Sequence, residues 1–317
     1  MTAPEVASRE EGTTTIGGLS RLVTMLAESG YYFVTPNTGA IKWNRAQRQA
    51  EPRTLRDIFG WSLPFAESDL APELFRVAAS ADLFAPAGAG WISKVRVSSV
   101  DGVLFAHSAF PTTAEDAVFL GPDTYRFAKM IGDCAEGGSP RRILDLGTGA
   151  GVGAVLAAKS HPDALVVASD VNPCALRMTA ANAQAAQVEV QTLLSADIPD
   201  GGDEYDLILA NPPFIAGESG RIYRDGGGLA GAQVPLRWGL AGAARLAMGG
   251  RMLLYTGSPI FDGRHALCDA LASGLAGEFH LNYWEIDPDI FSGMLGTPGY
   301  DGVERIAAIG MAISRRN

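Results

Sequence analysis

Cysteine, histidine and uninterrupted apolar runs are all scarce in this 317-residue chain, and each scarcity removes a class of function. Three cysteines (Cys134, Cys174 and Cys268), an odd number without a C-x-x-C pair, offer no disulfide framework and read as free thiols in a reducing cytoplasm. The four histidines, His107, His161, His265 and His280, lack ligand spacing, so each reads as structural and no metal site is expected. No stretch reaches the roughly 18 uninterrupted apolar residues of a membrane helix. The polar residues 1–15 lack an apolar signal core and read as a disordered leader, so no membrane association is expected. Positive charge is short too: a net charge of −10 argues against tight sequence-independent binding to DNA or RNA, which needs clustered Lys and Arg. One cluster runs against that trend. Lys42, Arg45, Arg48, Arg53 and Arg56 surround Trp43 with only Glu51 opposing them, either as a basic patch or as an ion-paired helix face.

What is present converges on a ligand site. The apolar run at 205–210 closes on Asn211-Pro212-Pro213-Phe214. Two prolines fix their own φ, remove two backbone donors and push Asn211 towards an extended conformation, so the Asn211 amide and Pro212 carbonyl can stand as fixed acceptors beside the flat face of Phe214. A second segment, residues 143–151, ends Gly147-Thr148-Gly149-Ala150-Gly151 and leads into the helical pattern from Val152. Strand, glycine turn and helix is the arrangement by which a backbone approaches a nucleotide cofactor closely. Val152 stands where a dinucleotide fingerprint needs glycine, so the turn leans away from NAD or FAD. Asp145, before the turn, suits a ligand ammonium group. Asp170, ending the next strand pattern, is placed for ribose hydroxyls, and Asp197 could meet an adenine amino group.

Length and a hydrophobic content of 47% suit two domains with buried cores. Residues 16–110 read as an N-terminal α+β domain, with helices over 19–29, 52–59 and 72–81 and a hairpin of 91–98 with 102–107 around Asp101-Gly102, permitting a winged-helix-like module. Residues 111–113 read as the linker. Thereafter strands near 142–146, 165–170, 188–194, 205–210 and 251–256 alternate with helices near 123–135, 152–159, 173–185, 233–247 and 264–274. Two closing strands follow, 280–286 and 305–314. This is a doubly wound, Rossmann-like α/β domain, in which ligands collect at the carboxyl ends of the strands.

On the N-P-P-F tetrapeptide, the glycine turn and the three strand-end acids, the chain resembles the class I S-adenosylmethionine-dependent methyltransferases, whose sheet has seven strands. It is most similar to the N-P-P-[YF] N-methyltransferases, among them the HemK/PrmC glutamine methyltransferases of release factors and the methyltransferase-small group. Two further segments resemble that family: Phe119-Leu120-Gly121-Pro122-Asp123-Thr124, with Gly121 and Tyr125 replacing the usual Arg and Glu of its P-[DE]-T segment, and the D-G-G loop Arg224-Asp225-Gly226-Gly227-Gly228-Leu229-Ala230-Gly231. The likeness covers residues 117–314 and does not reach residues 1–110. It implies S-adenosyl-L-methionine as cofactor, held by Asp145, Gly147, Thr148, Gly149, Gly151, Asp170, Val171, Asp197, Ile198 and Asn211. Asn211, Pro212 and Phe214 are implied as the catalytic set.

An amide or aromatic amine delocalises its lone pair and is a poor nucleophile. Acceptors at the Asn211 side chain and Pro212 carbonyl would bind both of its N–H bonds and strengthen as the nitrogen becomes cationic. The expected reaction is N-methylation of a planar NH₂ group on a macromolecule. A protein glutamine is favoured by the D-G-G loop and the P-D-T segment, with adenine N6 or guanine N2 of a nucleic acid next and a small metabolite third. A non-catalytic nucleic-acid-binding protein with a vestigial fold is the alternative from another class. Residues 16–110 are expected to select the acceptor and to be dispensable for cofactor binding.

Overall fold

The structure, a computed structural model, describes residues 3–48, 53–134, 138–199, 202, 204–216 and 223–316, with side chains from Ile16 onwards. Helix α1 (Ala3–Glu28) turns Leu19, Leu22, Val23 and Leu26 to one buried side, the spacing of an amphipathic helix. The backbone of residues 3–15, expected as a disordered leader, continues this helix, while residues 1 and 2 lie outside the described residues. Once the Leu19–Leu26 face is anchored, each added residue gains a hydrogen bond for its own ordering alone, and Ala3, Glu5, Arg9, Glu10 and Glu11 are good helix formers.

Helix α2 (Thr38–Gln47), which no apolar periodicity announces, starts at Asn37, whose side chain accepts the Ala40 N–H at 2.9 Å. A reciprocal Thr54–Asp57 capping box opens α3 (Leu55–Phe59), and a proline opens α4 (Pro72–Ser80). Two hairpins follow: β1 (Phe84–Ala87) with β2 (Gly90–Ser93), then β3 (Val95–Val100) with β4 (Val103–Ser108). Asp101 and Gly102 both take left-handed φ, 47° and 75°, as a two-residue D-G hairpin turn requires. The strand expected over 91–98 breaks at Lys94. Ser93 donates its hydroxyl to the Val95 carbonyl at 2.7 Å, and Trp91 pairs with Pro86. Among the described residues the N-terminal α+β part is thus four α-helices, one 3₁₀ turn (Glu67–Asp69) and two hairpins, where the sequence suggested three helices and one hairpin of a winged-helix kind.

The remainder alternates: α5 (Pro122–Asp133), β5 (Arg142–Leu146), α6 (Val152–Ser160), β6 (Leu165–Asp170), α7 (Pro173–Ala185), β7 (Gln191–Leu194), β8 (Tyr205–Ala210), α8 (Gln233–Ala243), β9 (Leu246–Phe261), β10 (Arg264–His265), α9 (Ala266–Gly274), β11 (Phe279–Asp287) and β12 (Arg305–Arg315). Seven strands lie in the order β11-β12-β9-β8-β5-β6-β7, with the short β10 folded onto β9. From β9 to β7 the neighbours run parallel, and β12 is antiparallel to both β9 and β11. Ile143, Leu144, Ile208 and Leu209 are buried on successive positions because the parallel strands are covered on both faces. The order reverses at β5, flanked by β6 on one side and β8 on the other. A crevice opens there, beyond the carboxyl ends of the strands.

Both parts of the chain contribute to one core. Ala181 of α7 belongs to the same buried cluster as Leu22, Leu26, Phe33 and Val97, and Met178 and Ala185 pack against it. The change of architecture near residue 110 is therefore not a break in packing. Among the described residues, no helix is long and apolar enough to cross a membrane.

Candidate active site

The turn after β5 gives the site its shape. Gly147, Gly149 and Gly151 take φ of 68°, 56° and 82°, a left-handed conformation that costs glycine least. A Cβ added at Gly147 would stand 2.5 Å from the Trp238 ring of α8, and one at Gly151 would stand 2.9 Å from Thr179 of α7. The turn is clamped from both sides. The Gly147 and Thr148 N–H groups donate to the Ser169 carbonyl of β6 at 2.8 and 2.9 Å. From α7, Thr179 donates to the Gly149 carbonyl at 3.2 Å and Asn182 to the Ala150 carbonyl at 2.8 Å.

Two buried carboxylates complete this half. Asp145 Oδ2 accepts the Thr148 hydroxyl at 2.6 Å and the Ala154 N–H at 2.9 Å. Burial pushes its pKa up to about 6 against the pull of those donors. The carboxyl is packed so closely that a Cβ at Gly153 would lie 2.5 Å from Asp145 Oδ1. Asp170 accepts the Gly149 N–H at 2.9 Å through Oδ2 and the Asn172 N–H at 2.8 Å through Oδ1, and burial raises its pKa as well. An ionised carboxylate has about four acceptor positions, so each Asp170 oxygen retains capacity for a ligand hydroxyl.

These groups border a cavity of about 660 Å³ at the carboxyl ends of the strands. Its wall includes Asp145, Gly147, Thr148, Gly149, Asp170 and Val171 on one side, and Asn211, Pro212 and Phe214 on the other. Three expected residues lie outside that wall. Gly151 faces Thr179 as the cap of α6. Strand β7 ends at Leu194, so Ser195 and Ala196 take the place expected for Asp197. Asp197 instead accepts the Trp238 indole N–H at 3.1 Å and pairs with Arg237 at 3.1 Å, while Ile198 packs against the apolar core.

Asn211-Pro212-Pro213-Phe214 follows β8 directly. Phe214 is only 8% exposed. Its ring meets Tyr255 edge-on at 6.4 Å and Phe291 at 5.9 Å, and leaves no room for a side chain at Gly257. Much of the aromatic face expected to meet a ligand is thus in the core. Phe291, 42% exposed and on the cavity wall, presents a more open ring.

The D-G-G loop has a packing reason. Ile215 N–H donates to the Arg224 carbonyl at 3.1 Å and Gly226 N–H to the Ile215 carbonyl at 2.9 Å, and a Cβ at Gly226 would strike the Phe214 backbone at 2.6 Å. The P-D-T segment starts α5, where buried Asp123 accepts the Tyr255 hydroxyl at 2.7 Å. Its two departures from the family pattern also have local partners. A Cβ at Gly121 would lie 2.4 Å from the Phe119 ring, and the Tyr125 hydroxyl accepts the Thr35 N–H at 2.8 Å.

Sequence reasoning missed Thr38, Phe119, Tyr223, Trp238 and Phe291 as wall residues, which reach it from five separate segments. Phe119 and Tyr223 stack at 5.3 Å, and the Tyr223 hydroxyl donates to the Thr112 carbonyl at 3.1 Å. The basic cluster also differs from a free patch. Arg45 donates to the Trp61 and Ser62 carbonyls, and burial lowers its pKa. Arg48 pairs with Asp57 at 2.9 Å, Arg53 donates to the Arg48 and Pro64 carbonyls, and Arg56 lies over the Phe33 ring. Among the described residues, no group of three His, Cys, Asp or Glu could hold a metal ion.

Sheet order, left-handed glycine turn and strand-end acids together define a class I S-adenosylmethionine-dependent methyltransferase fold. More particularly, residues 130–224 match the family model of the methyltransferase small domain. The chain is 36% identical over 146 residues to a release factor glutamine methyltransferase of Bordetella pertussis, covering 44% of this chain and 53% of that protein. It is 34% identical over 107 residues to a tRNA1(Val) (adenine(37)-N6)-methyltransferase of Porphyromonas gingivalis, covering 31% of this chain and 42% of the relative. These matches span about half the length of the relatives. Among solved structures, Trm5b of Pyrococcus abyssi shares the fold at a TM-score of 0.50 and 15% identity, over 74% of this chain and 62% of that one.

Proposed function

We propose that this chain is an S-adenosylmethionine-dependent N-methyltransferase of a planar NH₂ group, and that a protein glutamine side chain is its acceptor. The observation that carries the reaction class is the placement of Asn211 and Pro212 on the wall of the cavity that also holds Asp145, Asp170 and the glycine turn. The residues fit the cofactor: Asp145 offers a carboxylate for an ammonium group, Asp170 has acceptor capacity for ribose hydroxyls, and the left-handed glycines let the backbone approach. S-adenosylmethionine supplies the activated methyl group.

The chain's own part is orientation. Among the described residues no hydrogen bond occupies the Asn211 side chain. Its oxygen and the Pro212 carbonyl are acceptors open to two N–H bonds, and they favour the nitrogen as it gains positive charge. Phe291, with the exposed edge of Phe214, confines the planar group.

Internal use of Arg45, Arg48 and Arg53 supports a protein acceptor over a nucleic acid, since those guanidinium groups are already tied to the fold, while Lys42 and Arg56 stay exposed. The tRNA adenine methyltransferase among the relatives keeps a nucleic-acid base as the second reading. Labelled-methyl transfer to fractionated lysate tests both: label released by protease supports the first reading, and label released by nuclease overturns it in favour of the second.

A further inference from the structure

Arg224 stands on the cavity wall, half-buried, on the strip that bridges back to Ile215 immediately after Asn211-Pro212-Pro213-Phe214. Its guanidinium donates to the Met294 sulfur at 3.7 Å, a weak acceptor for a group that carries five N–H donors. Among the described residues no carboxylate pairs with it. The contrast on the same wall is Arg237, which is neutralised by Asp197 at 3.1 Å. Asp225, next in sequence to Arg224, has an interaction of its own.

Position decides which ligand could supply the missing anion. Asp145 and Asp170 rise from β5 and β6, whereas Arg224 touches the β11–β12 loop that brings Met294 and Phe291 against the Phe214 side. Arg224 therefore belongs to the acceptor half. A planar guanidinium matches a carboxylate with two parallel hydrogen bonds, and partial burial makes leaving it unpaired costly.

Resting on the N-methyltransferase reading above, we infer that Arg224 is a specificity-determining residue that binds a carboxylate of the acceptor protein, from an Asp or Glu close to the methylated glutamine.

The test uses the full chain and an array of glutamine-centred peptides with acidic or isosteric amide flanks, methylated with labelled cofactor, beside calorimetry with S-adenosylhomocysteine. Wild type should prefer acidic flanks by about tenfold or more, the scale of a hydrogen bond to a charged group. Arg224→Gln should erase the preference while leaving S-adenosylhomocysteine affinity within about threefold, and Arg224→Lys should restore part of it. Loss of S-adenosylhomocysteine affinity in Arg224→Gln with the flank preference intact would assign the carboxylate to the cofactor and overturn the inference. So would labelled peptides with no flank preference in wild type. Wild type that binds S-adenosylhomocysteine yet labels no peptide, but labels an RNA oligonucleotide, overturns the protein-acceptor reading itself.

Discussion

The Asn182 side chain pairs with both backbone polar groups of Ala106, accepting its N–H at 2.8 Å and donating to its carbonyl at 3.0 Å, and reaches the Ala150 carbonyl of the glycine turn at 2.8 Å. One fully buried amide thus joins β4 of the N-terminal part to the turn beside the cavity.

Replacing Asn182 by Ala leaves an N–H and two carbonyls without this partner inside the core. At about 1–3 kcal/mol for each unsatisfied buried group, the loss should be about 3 kcal/mol or more, among the larger effects of a single substitution. Urea unfolding measures it. A loss below about 1 kcal/mol would mean that water or a neighbouring group replaces the amide.

A chain that begins at Pro111 is expected to lose cofactor binding because it loses its fold. Removing the N-terminal part uncovers Met178, Ala181 and Ala185 of α7, the helix that also fastens Gly149 and Ala150. The truncated chain should show no cooperative thermal transition and no heat of binding with S-adenosylhomocysteine. Native affinity in a folded truncated chain would restore the expectation that the two parts are energetically separate.

These relationships explain what could be read from sequence. The elements nearest the site were legible because their causes are local: alternating glycines set the turn after Asp145, and consecutive prolines fix the backbone after Asn211. Asp197 stands off the cavity wall although β7 ends at Leu194, where the sequence pattern put it, because its carboxylate is held by the Trp238 indole and by Arg237 of α8, partners that spacing does not encode. Trp238 and Phe291 arrive by tertiary packing, which spacing does not encode. The arginine cluster was legible as charge but not as structure, since Arg45 finds its carbonyl partners in Trp61 and Ser62 across a loop.

Asp145 makes cofactor affinity depend on pH. Burial raises its folded pKa to about 6, so the folded state holds more protons than the unfolded chain between roughly pH 4 and 6. Its contribution to stability is full below that window and falls as pH rises through it. Cofactor affinity should move the opposite way, because the carboxylate that would meet an ammonium group forms over the same range. Calorimetry with S-adenosylhomocysteine from pH 5 to 7 should show tighter binding at the higher pH, and Asp145→Asn should flatten the dependence. Wild-type affinity that is unchanged over this range would remove Asp145 from the ammonium contact.

Asn211 should separate chemistry from cofactor binding. Its side chain borders the cavity, whereas the turn that shapes the cofactor half is held by Asp170, Ser169, Thr179 and Asn182, none of which depends on it. Asn211→Ala should therefore bind S-adenosylhomocysteine within about threefold of wild type while turnover falls by roughly 10²- to 10³-fold, the scale for one preorganised polar group lost from a transition state. Asn211→Asp sharpens the comparison. Its carboxylate still accepts but cannot donate, so substantial recovery of turnover would assign the catalytic role to the side-chain oxygen. Parallel losses of cofactor affinity and turnover in Asn211→Ala would show that this residue shapes the cavity instead.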